Sequence, residues 1–150
     1  MDAIQLLKAD HKKVRGLLEE LAGTTARGEK SRIDLLARIT EELAVHTRIE
    51  DEIFYPAFKE AGKKGDDSKM FFEAREEHRA VSDLVLPDLN KTPVGSEQFS
   101  GRAKVLKELV EHHIKEEEGE MFPRAKALMS KDELDGLGKQ LAARKQELLK

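Results

Sequence analysis

His46-Thr-Arg-Ile-Glu50 is answered by His113-Ile-Lys-Glu-Glu117, 67 positions further along the chain. The same offset carries His11 onto His78, and it holds well beyond those residues. It pairs Asp10 with Glu77, Val14 with Val81, Leu17 with Leu84, Asp51 with Glu118, Tyr55 with Phe122 and Pro56 with Pro123. A constant offset with no gap reads as one helical hairpin written twice. Each copy carries one lone histidine and one His-x-x-x-Glu. Two hairpins make four helices, and their shared core would hold four histidines and two glutamates.

The composition agrees with such a bundle. Of the 150 residues, 38% are charged and only 5% aromatic, a balance typical of helices with solvated outer faces. One domain of this size can bury a real core. The net charge of −3 comes from interspersed signs, so no basic stripe favours nucleic acid. There is no cysteine, which excludes disulfides, thiolate sites and thiol chemistry. The opening MDAIQLLKADH has no apolar signal-like core, and no apolar run approaches the ~20 residues that cross a bilayer. A soluble cytoplasmic protein is the expectation, with no membrane and no nucleic-acid partner; a protein partner is unknown.

Periodicity gives an all-α chain. Ile4, Leu7, Val14, Leu17, Leu18 and Leu21 form a 3.6-period face, with His11 inside it. Ser31 is the expected cap of a second helix, whose stripe is Ile39, Leu43, His46, Glu50 and Phe54. Pro56 would kink that helix, and the 62–67 segment would end it. The third helix is expected over about 68–86, with Phe71, Ala74, His78, Val81 and Val85 inward. Pro87 then opens the longest connection. Ser96 caps a fourth helix bearing Leu106, Val110, His113, Glu117 and Met121. Ser130 and Glu133 form a capping box for a short fifth helix over about 131–148, weakened by Gly136 and Gly138. The architecture is therefore an up-down-up-down four-helix bundle in one domain, built from hairpins over about 2–61 and 68–128, with the fifth helix outside the repeat.

Residues four apart on a helix point within about 40° of each other, one turn apart. His46 with Glu50, and His113 with Glu117, can thus reach one cavity. Two bridging glutamates and four terminal imidazoles would give each of two metal ions two nitrogens and two oxygens. Each metal would keep an open position. Such donors suit iron or manganese, and zinc less specifically. The metal-site residues are therefore His11, His46, Glu50, His78, His113 and Glu117. A lone core histidine is ordinarily structural, but six matched residues in two copies are not explained that way. No Glu stands three residues before any histidine, so the ferritin-like di-iron pattern is absent. His112 has no histidine at its repeat position and is expected at the surface. Glu42, one turn before His46, reads as a solvated glutamate, with a hydrogen bond to a ligand imidazole as the alternative. Glu76, Glu77, Glu116, Glu118 and Glu120 read as a solvated face, and Tyr55 and Phe122 as repeated core corners.

Over about residues 8–125 the chain resembles the hemerythrin family, and specifically its HHE cation-binding branch. The resemblance rests on His11, His46 through Glu50 with Tyr55-Pro56, His78, and His113 through Glu117 with Phe122-Pro123. It implies a four-helix bundle around an oxo- or hydroxo-bridged pair of iron ions, with manganese or zinc as lesser alternatives. The two carboxylates bridge, and oxygen binds at one iron. The chain departs from the oxygen carriers in two ways. Ala74 stands where they have a further histidine, four before His78. Glu117 closes a His-x-x-x-Glu where they have an extra residue and an aspartate. The first departure implies a more open centre, suited to oxygen, peroxide or nitric oxide. Two functions follow from the resemblance: a peroxide-consuming, catalase-like enzyme, or an iron- or oxygen-sensing module without turnover. A metal-free helical interaction module is the alternative from another class.

Overall fold

The computed structural model describes residues 1–150, and every regular element in it is helical. Five helices make up the chain: α1 (Ala3–Ala22), α2 (29–61), α3 (66–90), α4 (97–128) and α5 (Lys131–Leu149). Asp2 starts α1 with a reciprocal cap. Its carboxylate accepts the Gln5 N–H at 2.8 Å, and the Gln5 side chain accepts the Asp2 N–H at 3.0 Å. The expected caps at Ser96 and Ser130 are present, accepting the N–H of Phe99 and of Glu133, each at 3.1 Å.

The second helix begins earlier than its sequence suggests. It starts at Glu29 behind Gly28, and Ser31 lies exposed inside its first turn. Buried Arg32 explains this. Its guanidinium donates to the Val94 carbonyl at 2.7 Å, to Thr24 Oγ1 at 3.0 Å and to Ser100 Oγ at 2.8 Å. That anchor between two connections fixes the turn around residue 32 as helix, whatever Ser31 prefers locally.

Pro87 does not end the third helix, and Pro56 and Pro123 likewise lie within continuous helices. The N–H of Tyr55 reaches back five residues to the Glu50 carbonyl, that of Leu86 to Val81, and that of Phe122 to Glu117. Each pair closes a π-helical turn, and each is followed at once by proline: Pro56, Pro87 and Pro123. A proline inside an ordinary helix loses a hydrogen bond and strikes the carbonyl four residues back. Widening the preceding turn by one residue accommodates it, so the helix continues. Hence α3 extends to Asn90, and the connection that follows shrinks to 91–96, no longer than 23–28.

Two apolar clusters fill the bundle. One contains Ile4, Leu7, Phe54, Phe58, Phe122 and Leu141. The other contains Val14, Leu18, Ile39, Leu89, Phe99 and Leu106. His11 lies between Leu7 and Val14, so a polar layer separates the two. The fifth helix is not short: its 19 residues match the 20 of α1, and it packs against α1 and α2. Gly138 is required for that packing. A Cβ there would come 2.8 Å from the Asp2 carbonyl carbon and 2.9 Å from the Ala3 nitrogen, whereas one at Gly136 would meet nothing. Gly138→Ala is therefore expected to destabilise by about 1–3 kcal/mol through overpacking. Gly136→Ala is expected to gain about 1 kcal/mol of helix propensity. Thermal melts followed by circular dichroism should move in opposite directions, by roughly 2–4 °C per kcal/mol.

Candidate metal centre

The helical stripes bring the six expected residues around one cavity. The inward atoms of His11, His46, Glu50 and Glu117 lie within 4.8 Å of one another, and so do those of Glu50, His78, His113 and Glu117. The two glutamates belong to both groups, and all six residues are buried. Glu117 divides its oxygens between them: Oε1 is 3.0 Å from His11 Nε2, and Oε2 is 3.0 Å from His113 Nε2. Glu50 presents Oε1 to both sides, 2.9 Å from His46 Nε2 and 3.2 Å from His78 Nε2.

Proximity does not satisfy these atoms. His11 Nε2, His46 Nε2, Glu50 Oε2 and Glu117 Oε1 are buried without any hydrogen-bond partner. The short distances from His11 Nε2 to Glu117 and from His46 Nε2 to Glu50 are therefore not aligned hydrogen bonds. Each such atom costs about 1–3 kcal/mol when left unsatisfied. Two imidazole nitrogens, once deprotonated, and two carboxylate oxygens this close together match the donor set of a cation. The group is thus chemically fit to hold metal.

The backs of the four rings are held just as regularly. His11 Nδ1 lies 2.7 Å from Glu118, His46 Nδ1 2.9 Å from Asp10, His78 Nδ1 3.0 Å from Asp51, and His113 Nδ1 2.7 Å from Glu77. An ionised carboxylate only accepts, so each Nδ1 donates and each Nε2 is left facing inward. The reading of Glu77 and Glu118 as solvated thus fails. Both follow the 67-residue offset from Asp10 and Asp51, and that pairing was the available signal. Glu42 does not support an imidazole; it pairs with Lys13 at 2.6 Å. His112 is exposed, as expected, and pairs with Glu116 at 3.0 Å.

Tyr55 is the other departure. Its ring belongs to the apolar core, but its hydroxyl enters the site. It donates to Glu117 Oε2 and sits 3.1 Å from His78 Nε2 and 3.2 Å from His113 Nε2. In an unbroken α-helix, residue 55 would lie about 140° round from residue 50. The π turn adds a residue to that circuit and brings Tyr55 onto the Glu50 face. At the matching position Phe122 has no hydroxyl and stacks on His11, with ring centroids 5.8 Å apart. Burial, then the charges of Glu117 and Glu50, pushes the Tyr55 phenol well above its ordinary range, so it stays a neutral donor.

The Hemerythrin HHE cation binding domain profile matches residues 2–125. The chain belongs to this family. An HHE cation binding domain-containing protein from Mycobacterium kansasii has a crystal structure that superposes with a TM-score of 0.84, at 31% identity, covering 99% of this chain and 87% of that one. An uncharacterised protein of Mycobacterium tuberculosis is 32% identical over 149 residues, 99% of this chain and 88% of that protein. A DNA nickase of a Nostoc species is 22% identical over 149 residues, which span only 40% of that protein. The buried histidine–glutamate cluster of this HHE domain fits a metal-binding module. No helix is long and apolar enough to cross a membrane.

Charge sets how protons and cations compete here. Burial alone would lower the His46 imidazole, but the Glu50 charge, the Asp10 carboxylate behind the ring and the Glu117 charge outweigh it and lift it to about 10. His78 rises as well, burial being overcome by Asp51 and Glu50, and His113 rises further, chiefly through Glu117 and Glu77. Glu117 is held well below its usual range despite burial, by the His113 charge and the neighbouring imidazoles. A raised imidazole stabilises the fold fully below its unfolded value of ~6.5 and loses that contribution as pH climbs through the folded value. Metal-free protein should accordingly melt at progressively lower temperature between pH 6.5 and about 10. Cation binding at pH 7 should release protons, because Nε2 must be bare to ligate. Calorimetry in two buffers of different ionisation enthalpy measures that release; its absence would show that the imidazoles are already neutral. Glu77→Ala and Glu118→Ala should each weaken cation binding about 10–100-fold. The exposed Glu76→Ala serves as the unaffected control in a chelator competition.

Proposed function

We propose that this HHE domain binds two iron ions and reacts with a small oxidant, hydrogen peroxide in particular. The observation that carries the reading is the pair of buried histidine groups that have Glu50 and Glu117 in common, one of which holds four partnerless imidazole and carboxylate atoms. His11 and His46 would hold one ion and His78 and His113 the other. The two glutamates would bridge, and Tyr55 Oη stands beside the second position. Nitrogen and oxygen donors in a chain without cysteine favour iron or manganese over thiolate-seeking metals. Iron would supply electrons by cycling between its ferrous and ferric states.

The surroundings limit the substrate. A cavity of about 20 Å³ is bounded by His11, His46, His78 and His113 together with Val14, Leu43, Val81 and Val110. It has room for about one small molecule. A second cavity of about 20 Å³ lies beside Ala74, His113 and Glu117, where the missing histidine side chain would stand. Oxygen, nitric oxide and peroxide fit such spaces. Tyr55, as a neutral phenol hydrogen-bonded to Glu117, can donate a proton or a hydrogen bond to a ligand at the second position. In a catalase-like reaction two peroxides give one oxygen and two waters, and no further reductant is consumed. A metal-free interaction module would leave the four inward atoms unsatisfied for no return. A sensing module without turnover is the remaining alternative, favoured by the packing of α5 against the π turn that carries Glu50.

Elemental analysis of iron-reconstituted protein should give two ions per chain. One ion or none would overturn the reading. Glu50→Ala should lower occupancy at both positions, since both groups share its carboxylate. The iron-loaded protein should release one oxygen per two peroxides at a rate above that of free iron. Ala74→His should slow the reaction while leaving the iron content intact. Repeated reversible oxygen binding by an iron-loaded protein inert to peroxide would mark a carrier instead.

A further inference from the structure

The C-terminal helix reaches the centre through one side chain. Lys145 Nζ meets Asp10 Oδ1, and Asp10 Oδ2 accepts the Nδ1–H of His46 at 2.9 Å. Asp10 is thus held by both oxygens, one toward α5 and one toward the site. It is only 6% exposed, so water does not compete for it. Glu77, its counterpart in the other hairpin, also accepts from a histidine, but no lysine or arginine pairs with it. The nearby titratable groups are His112, 3.9 Å away, and Glu116. The difference arises because α5 lies outside the repeat and packs against α1 and α2.

An imidazole can rotate about its last side-chain bond, and only one of its nitrogens faces the cavity at a time. The carboxylate behind it selects the orientation, but a carboxylate attached by one oxygen is itself free to turn. We propose that Lys145 is a positioning residue of the metal centre. By pinning Asp10 it fixes the His46 ring so that Nε2 faces the position shared with His11, Glu50 and Glu117. The proposal rests on the metal-binding reading above. Arg144, one residue earlier, provides the contrast. It pairs with Glu52 at 2.8 Å, and Glu52 is exposed and touches no histidine. Arg144 therefore docks the same helix without reaching the site.

The test is a titration of metal-free protein with cobalt(II), read by visible absorption and by chelator competition, with circular dichroism to confirm the fold. Wild type should take two ions. K145M should bind one ion as wild type does and the other about tenfold more weakly, the scale found for residues behind a ligand. K145R should restore the weakened position, and R144Q should bind both ions normally. If K145M does not fold, K145Q, whose side chain is one atom shorter and falls short of Asp10, is titrated in its place with the same expectation. Unchanged binding by K145M, or by K145Q in its place, overturns the proposal. So does an equal loss in R144Q, which would trace the effect to undocking of the helix, and so does a failure of K145R to restore binding. Wild type that takes no cobalt overturns the metal-centre reading and this proposal with it. Wild type that takes two, beside an unaltered K145M, overturns the proposal alone.

Discussion

Six ionisable side chains in the middle of an apolar bundle must balance one another's charge, and the rest of this structure is arranged around that need. A buried charge without a partner costs several kcal/mol. Here two inner carboxylates face four imidazoles, and four outer carboxylates stand behind the same rings. Every Nδ1 is occupied from outside, which leaves every Nε2 for the interior. The ring of outer carboxylates thus converts four flexible side chains into a preorganised set. The polar layer divides the core in two, and helices long enough to reach both apolar clusters are what hold it together.

The π turns serve the same layer. Two of the three begin at Glu50 and Glu117, the residues common to both groups. A turn widened by one residue lets proline follow without ending the helix, and it changes which side chains share a face. Through that change Tyr55 arrives beside His78 and His113. The two hairpins are then no longer equivalent. A phenol hydroxyl marks one position, while a bare phenyl ring stacks on the histidine of the other.

The fifth helix adds a second asymmetry. It covers α1 and α2 but belongs to neither copy of the repeat. The close approach at Gly138 sets its height, and Lys145 then falls opposite Asp10. One histidine is therefore backed by a fixed ion pair and its counterpart by a carboxylate among other acids. Two positions built from the same residue types can in this way differ in affinity and reactivity.

The chain's periodicity was enough to read five helices, the inward stripes and the convergence of His11, His46, Glu50, His78, His113 and Glu117. Those features follow from the 3.6-residue repeat and from the 67-residue offset, both of which are local arithmetic. The offset also contained the outer carboxylates, as Asp10 with Glu77 and Asp51 with Glu118. Their role stayed hidden because an acidic residue beside a helical stripe is usually solvated, and only the neighbouring helix shows otherwise. The π turns were illegible for a related reason. Proline signals a break, and whether a helix ends or widens depends on what its far side packs against. The entry of Tyr55, the start of α2 at Glu29 and the reach of Lys145 all depended on contacts between segments distant in sequence. Sequence determined which side chains could share a helix face; only the packing of helix on helix decided which atoms met.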